Sequence, residues 1–320
     1  MPNPSSGMPI ADDPAGMPME APAEPFPWQS PKDPCDDCEA LERVMATMAR
    51  PSYRLADHDV DFLQADDTRG ARLQLDYLKA EQGLAAHGIA HTIVVFGSAR
   101  IPEPRAARRR LDAAREALDL APDDPAARRA VALAERIADN SRYYDVAREF
   151  AALVGRLDGR PHGERIAMMT GGGPGLMEAA NRGAFQVGMQ SVGLNISLPY
   201  EQYPNPYITP DLCFQFHYFG MRKLHFLYRA CALVAFPGGF GTFDEVFETL
   251  TLIQTRKIAP LPVVLVGRAF WSRAVDFDFL VAEGMIAGED LELFSVVETA
   301  EEIQARIAAW HEARGAPLFP

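Results

Sequence analysis

The run Cys231-Ala232-Leu233-Val234-Ala235-Phe236 is apolar throughout and passes directly into Pro237-Gly238-Gly239-Phe240-Gly241-Thr242-Phe243-Asp244-Glu245. A short run with no polar alternation predicts a strand buried on both faces, the usual state of a strand in a parallel sheet covered by helices. Residues 246–254 then carry apolar side chains at helical spacing. A strand, a glycine-rich turn and a helix N-terminus in succession make an anion site. Glycines let the backbone approach a ligand, and the free amides of the first helical turn face it with the positive end of the dipole. The turn therefore reads as a phosphate cradle, with the acidic pair Asp244 and Glu245 one helical turn away.

The same unit recurs upstream. His91-Thr92-Ile93-Val94-Val95-Phe96 leads into Gly97-Ser98-Ala99-Arg100, and a strand over 165–169 leads into Thr170-Gly171-Gly172-Gly173-Pro174-Gly175 and a helix over 176–187. Further strands are expected over 191–196, 212–216, 262–266 and 294–297. Helices are expected over 142–157, around Met221-Arg222-Lys223, over most of 270–283 and over 300–314. Alternation of this kind predicts one large α/β domain, a three-layer Rossmann-like fold with a parallel sheet and helices on both faces, plus an N-terminal helical extension. In such sheets ligands bind at the carboxyl ends of the strands, where all three turns should lie.

The dinucleotide fingerprint G-x-G-x-x-G does not follow the first strand, and the P-loop pattern G-x-x-x-x-G-K-[ST] is absent. The net charge of -13 argues against a nucleic-acid surface or an anionic membrane partner. No apolar run is long enough to span a bilayer, and no basic-then-apolar leader opens the chain, so a cytoplasmic protein is expected. Of the four cysteines, Cys213 and Cys231 fall in expected strands. Cys35 and Cys38 form a lone C-x-x-C that supplies only two of the four ligands a zinc site wants, and no metal is expected.

Residues 1–40, rich in Pro, Met, Ala and Asp, are expected to be a disordered tail. A helical extension over 41–88 should follow, with one helix near 39–48 and another over 59–87 broken near Gly70. The main domain is expected over 89–316, with an insertion at 102–139 forming two short helices around Ala121-Pro122-Asp123-Asp124-Pro125. Arg108, Arg109 and Arg110 in that insertion could reach a phosphate, but mixed with Asp112, Glu116 and Asp119 they read rather as a solvated helical face.

Spacing leaves Glu245 with two readings. Thr242 and Glu245 stand in the relation of a capping box, and Glu245 can equally be a functional carboxylate beside the cradle. Glu178 can complement its own helix dipole, and Arg222 can be a surface residue paired with an acid.

Taken as motifs, Pro237-Gly238-Gly239-Phe240-Gly241-Thr242-Phe243-Asp244-Glu245 resembles the P-G-G-x-G-T-x-x-E signature of the LOG (Lonely Guy) family. Thr170-Gly171-Gly172-Gly173-Pro174-Gly175-Leu176-Met177-Glu178-Ala179-Ala180-Asn181-Arg182-Gly183-Ala184 resembles its other glycine signature. Phe96-Gly97-Ser98-Ala99-Arg100 is similar to its first turn, and the likeness spans roughly 90–300. The resemblance implies a phosphoribohydrolase that splits a purine nucleoside 5′-monophosphate, AMP or a cytokinin riboside 5′-monophosphate, into free base and ribose 5-phosphate. It implies no cofactor, a small-molecule nucleotide as partner, and a homodimer or larger homo-oligomer. By the same resemblance Arg222 and Glu245 form the catalytic pair. Gly238, Gly239, Phe240, Gly241 and Thr242 hold the phosphate, and Ser98, Gly172, Gly173, Leu176, Met177, Glu178 and Lys223 line the nucleotide pocket. The chain departs from the family at Phe219-Gly220-Met221-Arg222-Lys223, where members often read M-H-x-R-K. The older label for such sequences, lysine decarboxylase, finds no lysine marked for a pyridoxal Schiff base. A nucleotide-binding protein that keeps the pocket without the chemistry is the alternative.

Overall fold

A computed structural model describes residues 30–158, 166–199 and 203–319. Most of the expected N-terminal tail therefore lies outside the described residues, as do residues 159–165 and 200–202. The chain divides at Arg69 and Gly70 into two compact units. The first holds α1 (Ala40–Met48) and α2 (Val60–Gln64), capped by the Asp59 carboxylate accepting from the Phe62 amide. The helix expected to break near Gly70 breaks earlier. Ala65 is extended and Asp66–Thr68 forms a separate tight turn, whereas Gly70 lies inside the first turn of α3 (Arg69–Ala86).

The larger unit is built on seven parallel strands: β1 (His91–Phe96), β2 (Ile166–Thr170), β3 (Ser191–Ile196), β4 (Cys213–Phe216), β5 (Ala230–Ala235), β6 (Val263–Val266) and β7 (Phe294–Val297). Their order across the sheet is β4-β3-β2-β1-β5-β6-β7. Every pairing is parallel, with Val95 opposite Thr170 on one side of β1 and Val234 on the other. The helices between and after the strands are α4 (Pro104–Leu120), α5 (Pro125–Asn140), α6 (Arg142–Leu157), α7 (Leu176–Gln186), α8 (Phe219–Tyr228), α9 (Phe240–Gln254), α10 (Arg268–Ala274), α11 (Phe277–Ala282) and α12 (Ala300–Glu312).

The apolar runs acquire their meaning from the two faces of the sheet. Ile93, Val95, Met168, Val234 and Val264 face one way, onto Tyr144 and Phe150 of α6, Leu176 and Ala180 of α7 and Ile303 and Ile307 of α12. Val94, Phe96, Met169, Leu233 and Leu265 face the other way, onto Leu84 of α3, Phe226 of α8, Val246 and Ile253 of α9 and Trp271 of α10. Alternate residues of a strand point to opposite faces, so only a strand covered on both sides keeps an unbroken apolar sequence. This is the three-layer architecture expected.

Two expectations on length are corrected. The insertion makes helices of 17 and 16 residues rather than short ones, because Ala, Arg and Leu are strong helix formers. Pro125 takes the first helical position of α5, and the Asp124 carboxylate caps it by accepting from the Ala126 amide at 2.8 Å. The 270–283 stretch is split at extended Val275, with Asp276 capping α11.

Candidate functional site

The chain builds the sheet outward from β1 through β2, β3 and β4, then returns to place β5 on the other side of β1. The connections leaving the carboxyl ends of β1 and β5 therefore diverge to opposite faces, which opens a crevice at that edge. A cleft of about 870 Å³ lies there, a volume in the range that accommodates a nucleotide. Its walls come from the three glycine turns and the N-termini of α8 and α9.

The turns are tied to one another by their backbones. The Ser98 amide donates to the Pro237 carbonyl at 3.0 Å, and the Leu176 amide donates to the Ser98 carbonyl at 3.1 Å. Gly175 adopts φ +73°, and a Cβ there would sit 2.5 Å from the Ser98 carbonyl oxygen, so only glycine lets the second turn close on the first. Behind the second turn lies a buried polar network. Thr170 Oγ1 donates to Asn181 Oδ1 (2.7 Å) and accepts from the Gly172 amide (3.0 Å). Asn181 Nδ2 donates to Ser191 Oγ (2.6 Å), and Asn205 Nδ2 donates to the Gly173 carbonyl (3.0 Å). Buried polar groups satisfied in this way fix one conformation.

The third turn decides between the two readings of Glu245. Helix α9 starts at Phe240 with Gly239 as its N-cap, and no side chain caps it. Thr242 and Glu245 are both helical residues, so they do not form the capping box that their spacing allows. The Thr242 and Phe243 amides bond the Gly239 carbonyl at 3.0 and 3.1 Å. Among the described residues, the amides of Gly239, Phe240 and Gly241 have no partner. Orphan amides at a helix start are the donors an anion needs.

Glu245 is 6% exposed, and among the described residues its carboxylate has neither a hydrogen bond nor an ion pair. Burial pushes its pKa up to about 7, although the nearby charges of Lys223 and Arg222 pull it down and those of Glu248 and Asp244 add to the rise. Arg222, on α8, is half-buried. Its Nε donates to the Leu194 carbonyl at 2.7 Å, and its guanidinium lies 5.1 Å from the centre of the Phe226 ring. Burial lowers its pKa and Glu245 partly restores it. A Cβ on Gly171 would lie 2.6 Å from Arg222 Nη2, so the second glycine turn leaves room for the guanidinium. Arg222 is not an exposed surface residue paired with an acid.

Of the residues singled out in the sequence, Ser98, Met177, Arg222, Gly239, Phe240, Gly241, Thr242 and Glu245 line the cleft together. Gly238 lies just beneath, against the Thr242 side chain. Gly172 and Gly173 belong to the network behind the second turn. Leu176 does not line the cleft with its side chain, which is fully buried in the core. Glu178 is directed elsewhere, accepting from the Tyr144 hydroxyl at 2.7 Å. Lys223 lies between Asp244 (2.8 Å) and Glu248 (3.1 Å), ion pairs that outweigh burial and raise its pKa. Asp244 also lines the cleft, together with Phe219 and Arg100, which no motif marks as site residues. For Arg100 a signal existed, since it stands two residues after Ser98 in the first turn. For Phe219 the signal was the helix start three residues before Arg222.

These features define a parallel α/β domain with a nucleotide-sized cleft at its topological switch point. Residues 177–307 match a family model described as possible lysine decarboxylase, the label carried by LOG-type sequences. The matched stretch, less than half of the chain, takes in Arg222, the third glycine turn and Glu245. No curated protein matches the chain. Solved structures similar to the chain include a structural-genomics target titled TM1055 (19% identity, TM-score 0.41, covering 68% of this chain and 98% of that one) and a molybdenum cofactor binding protein from the phototrophic bacterium Rippkaea orientalis (18%, TM-score 0.38, 52% and 87%).

Proposed function

We propose that this protein hydrolyses the N-glycosidic bond of a purine nucleoside 5′-monophosphate, AMP or an N6-modified relative, to free base and ribose 5-phosphate. The observation that carries the reading is Glu245, a buried carboxylate without a hydrogen-bonding partner among the described residues, on the wall of the cleft beyond the orphan amides of α9. A phosphate on those amides fixes the ribose, so binding energy from a part of the substrate that does not react positions C1′. As the C1′–N bond lengthens, C1′ becomes oxocarbenium-like and the bonding pair leaves with the base. Ionised Glu245 stabilises the positive charge and accepts a proton from the attacking water, whose oxygen bonds to C1′, while the departing base takes up a proton from solvent. A base with a pKa of about 7 is matched to work near neutral pH. Arg222, anchored on Leu194, orients the ribose beside Glu245, and its charge, after that of Lys223, opposes the rise that burial imposes on the Glu245 carboxyl.

Lysine decarboxylation does not suit this cleft. A lysine that forms a pyridoxal Schiff base needs a neutral amine, whereas Lys223 is held charged between two carboxylates. The test is incubation of purified protein with a panel of purine nucleoside 5′-monophosphates, with chromatographic detection of base and ribose 5-phosphate. Release by the wild type and its loss in Glu245→Gln support the reading. Binding with no base released favours a non-catalytic nucleotide-binding protein.

A further inference from the structure

The cleft is poor in free positive charge for a site that must hold a phosphate dianion. Asp244 and Glu245 line it together with Arg222, while Glu248 and Lys223 lie beside it. Lys223 is already engaged by Asp244 and Glu248, and it is absent from the cleft wall. Arg222 is committed to the Leu194 carbonyl and to the neighbourhood of Glu245. The α9 amides supply only partial charge, and repulsion from Glu245 opposes a dianion close by. One further cation lines the cleft, Arg100, and among the described residues its guanidinium has no acid partner.

Resting on the reading of this cleft as a nucleotide site, we infer that Arg100 is the residue that makes the site require a 5′-phosphate. It pairs with the phosphate oxygens that the α9 amides leave free. The mounting of Arg100 suits this work. Its amide donates to Ser98 Oγ at 3.1 Å, and Ser98 is bonded through its backbone to Pro237 at the start of the third turn and to Leu176 after the second. The backbone carrying Arg100 is thus fixed to the same frame as the orphan amides, while its side chain stays exposed. A guanidinium held in this way meets a phosphate with paired, charge-assisted hydrogen bonds, which a lysine matches only as a point charge.

The test uses the full chain and two probes that divide the substrate, ribose 5-phosphate and adenosine, with affinities measured by calorimetry. Arg100→Met should bind ribose 5-phosphate about 10- to 100-fold more weakly than wild type, the usual loss for a charge-assisted hydrogen bond, with adenosine binding unchanged. Arg100→Lys should recover part of the loss, and thermal unfolding shows whether either variant is folded. Equal ribose 5-phosphate affinity in Arg100→Met overturns the assignment and leaves the nucleotide reading standing. An equal loss for adenosine also overturns it, because Arg100 would then act through packing. Failure of the wild type to bind ribose 5-phosphate at all overturns both.

Discussion

Replacing Glu245 with Gln should harm catalysis and stabilise the fold, with the two effects separable by pH. The carboxyl lies buried with no donor among the described residues to satisfy its charge, and burial holds its pKa at about 7, above the ordinary 4.5 of a glutamate. The native state therefore binds this proton more tightly than the unfolded chain does. That contribution to stability is fully present below about pH 4.5 and is lost as pH rises through about 7. A shift of this size corresponds to about 3 kcal/mol above pH 8, counting about 1.4 kcal/mol per unit. Glutamine has nearly the same shape and never ionises, and Lys223 keeps Asp244 and Glu248 when the charge is removed. Thermal unfolding of the two proteins should differ least near pH 4 and diverge toward pH 8.5. There the variant melts about 6–12 °C higher for a unit of this size. The same variant should lose about 10²–10⁴ in turnover of a purine nucleoside monophosphate. A melting difference that stays constant with pH, or that favours wild type at pH 8.5, refutes the claim that Glu245 is a buried, uncompensated acid.

Three further outcomes are expected. Because the reaction needs Glu245 ionised, kcat/KM should rise with pH to a plateau above about 7, and Lys223→Met should move that limb to higher pH by removing a cation beside the carboxyl; chromatographic rate profiles from pH 5 to 9 check both. Gly172→Ala should cost about 1–3 kcal/mol in denaturant unfolding, since φ is +72° and the new methyl would collide with Asn195 Oδ1. The exposed Leu224 and Tyr228 of α8, beside an apolar groove of about 590 Å³ that reaches Leu252 and Ile258, should form the face on which a homodimer assembles; sedimentation should give a dimer for wild type and a monomer for a Leu224→Glu, Tyr228→Glu double variant.

The strands were legible because burial on both faces leaves no room for polar alternation. β1, β3 and β7 fall on the expected residues, and the glycine turns sit at the carboxyl edge. Helix boundaries were harder where local chemistry competed. Gly70 looked like a breaker, but it occupies the first turn of a helix whose start is set by the Asp66–Thr68 turn. Leu176 and Glu178 stood in a motif beside the cleft, yet one faces the core and the other meets Tyr144 of α6. Sequence spacing places residues on an element; what each side chain meets depends on a helix contributed from elsewhere in the chain.

Glu245 shows the same limit and also a way past it. Its spacing from Thr242 allowed a capping box, and the structure excludes one by starting α9 at Phe240, so both residues lie inside the helix. The acids of that helix have a pattern of their own. Asp244 and Glu248 are four apart and share a helical face, where Lys223 of α8 meets both. Glu245, about 100° around the helix from Asp244, makes no ion pair with that cation among the described residues and lines the cleft instead. Lys223 therefore neutralises Asp244 on the cleft wall and Glu248 beside it, and it acts on Glu245 only at a distance, where its charge opposes the rise in pKa that burial imposes. One lysine, with two acids spaced four apart and a third just out of reach, separates structural carboxylates from the one left free for chemistry.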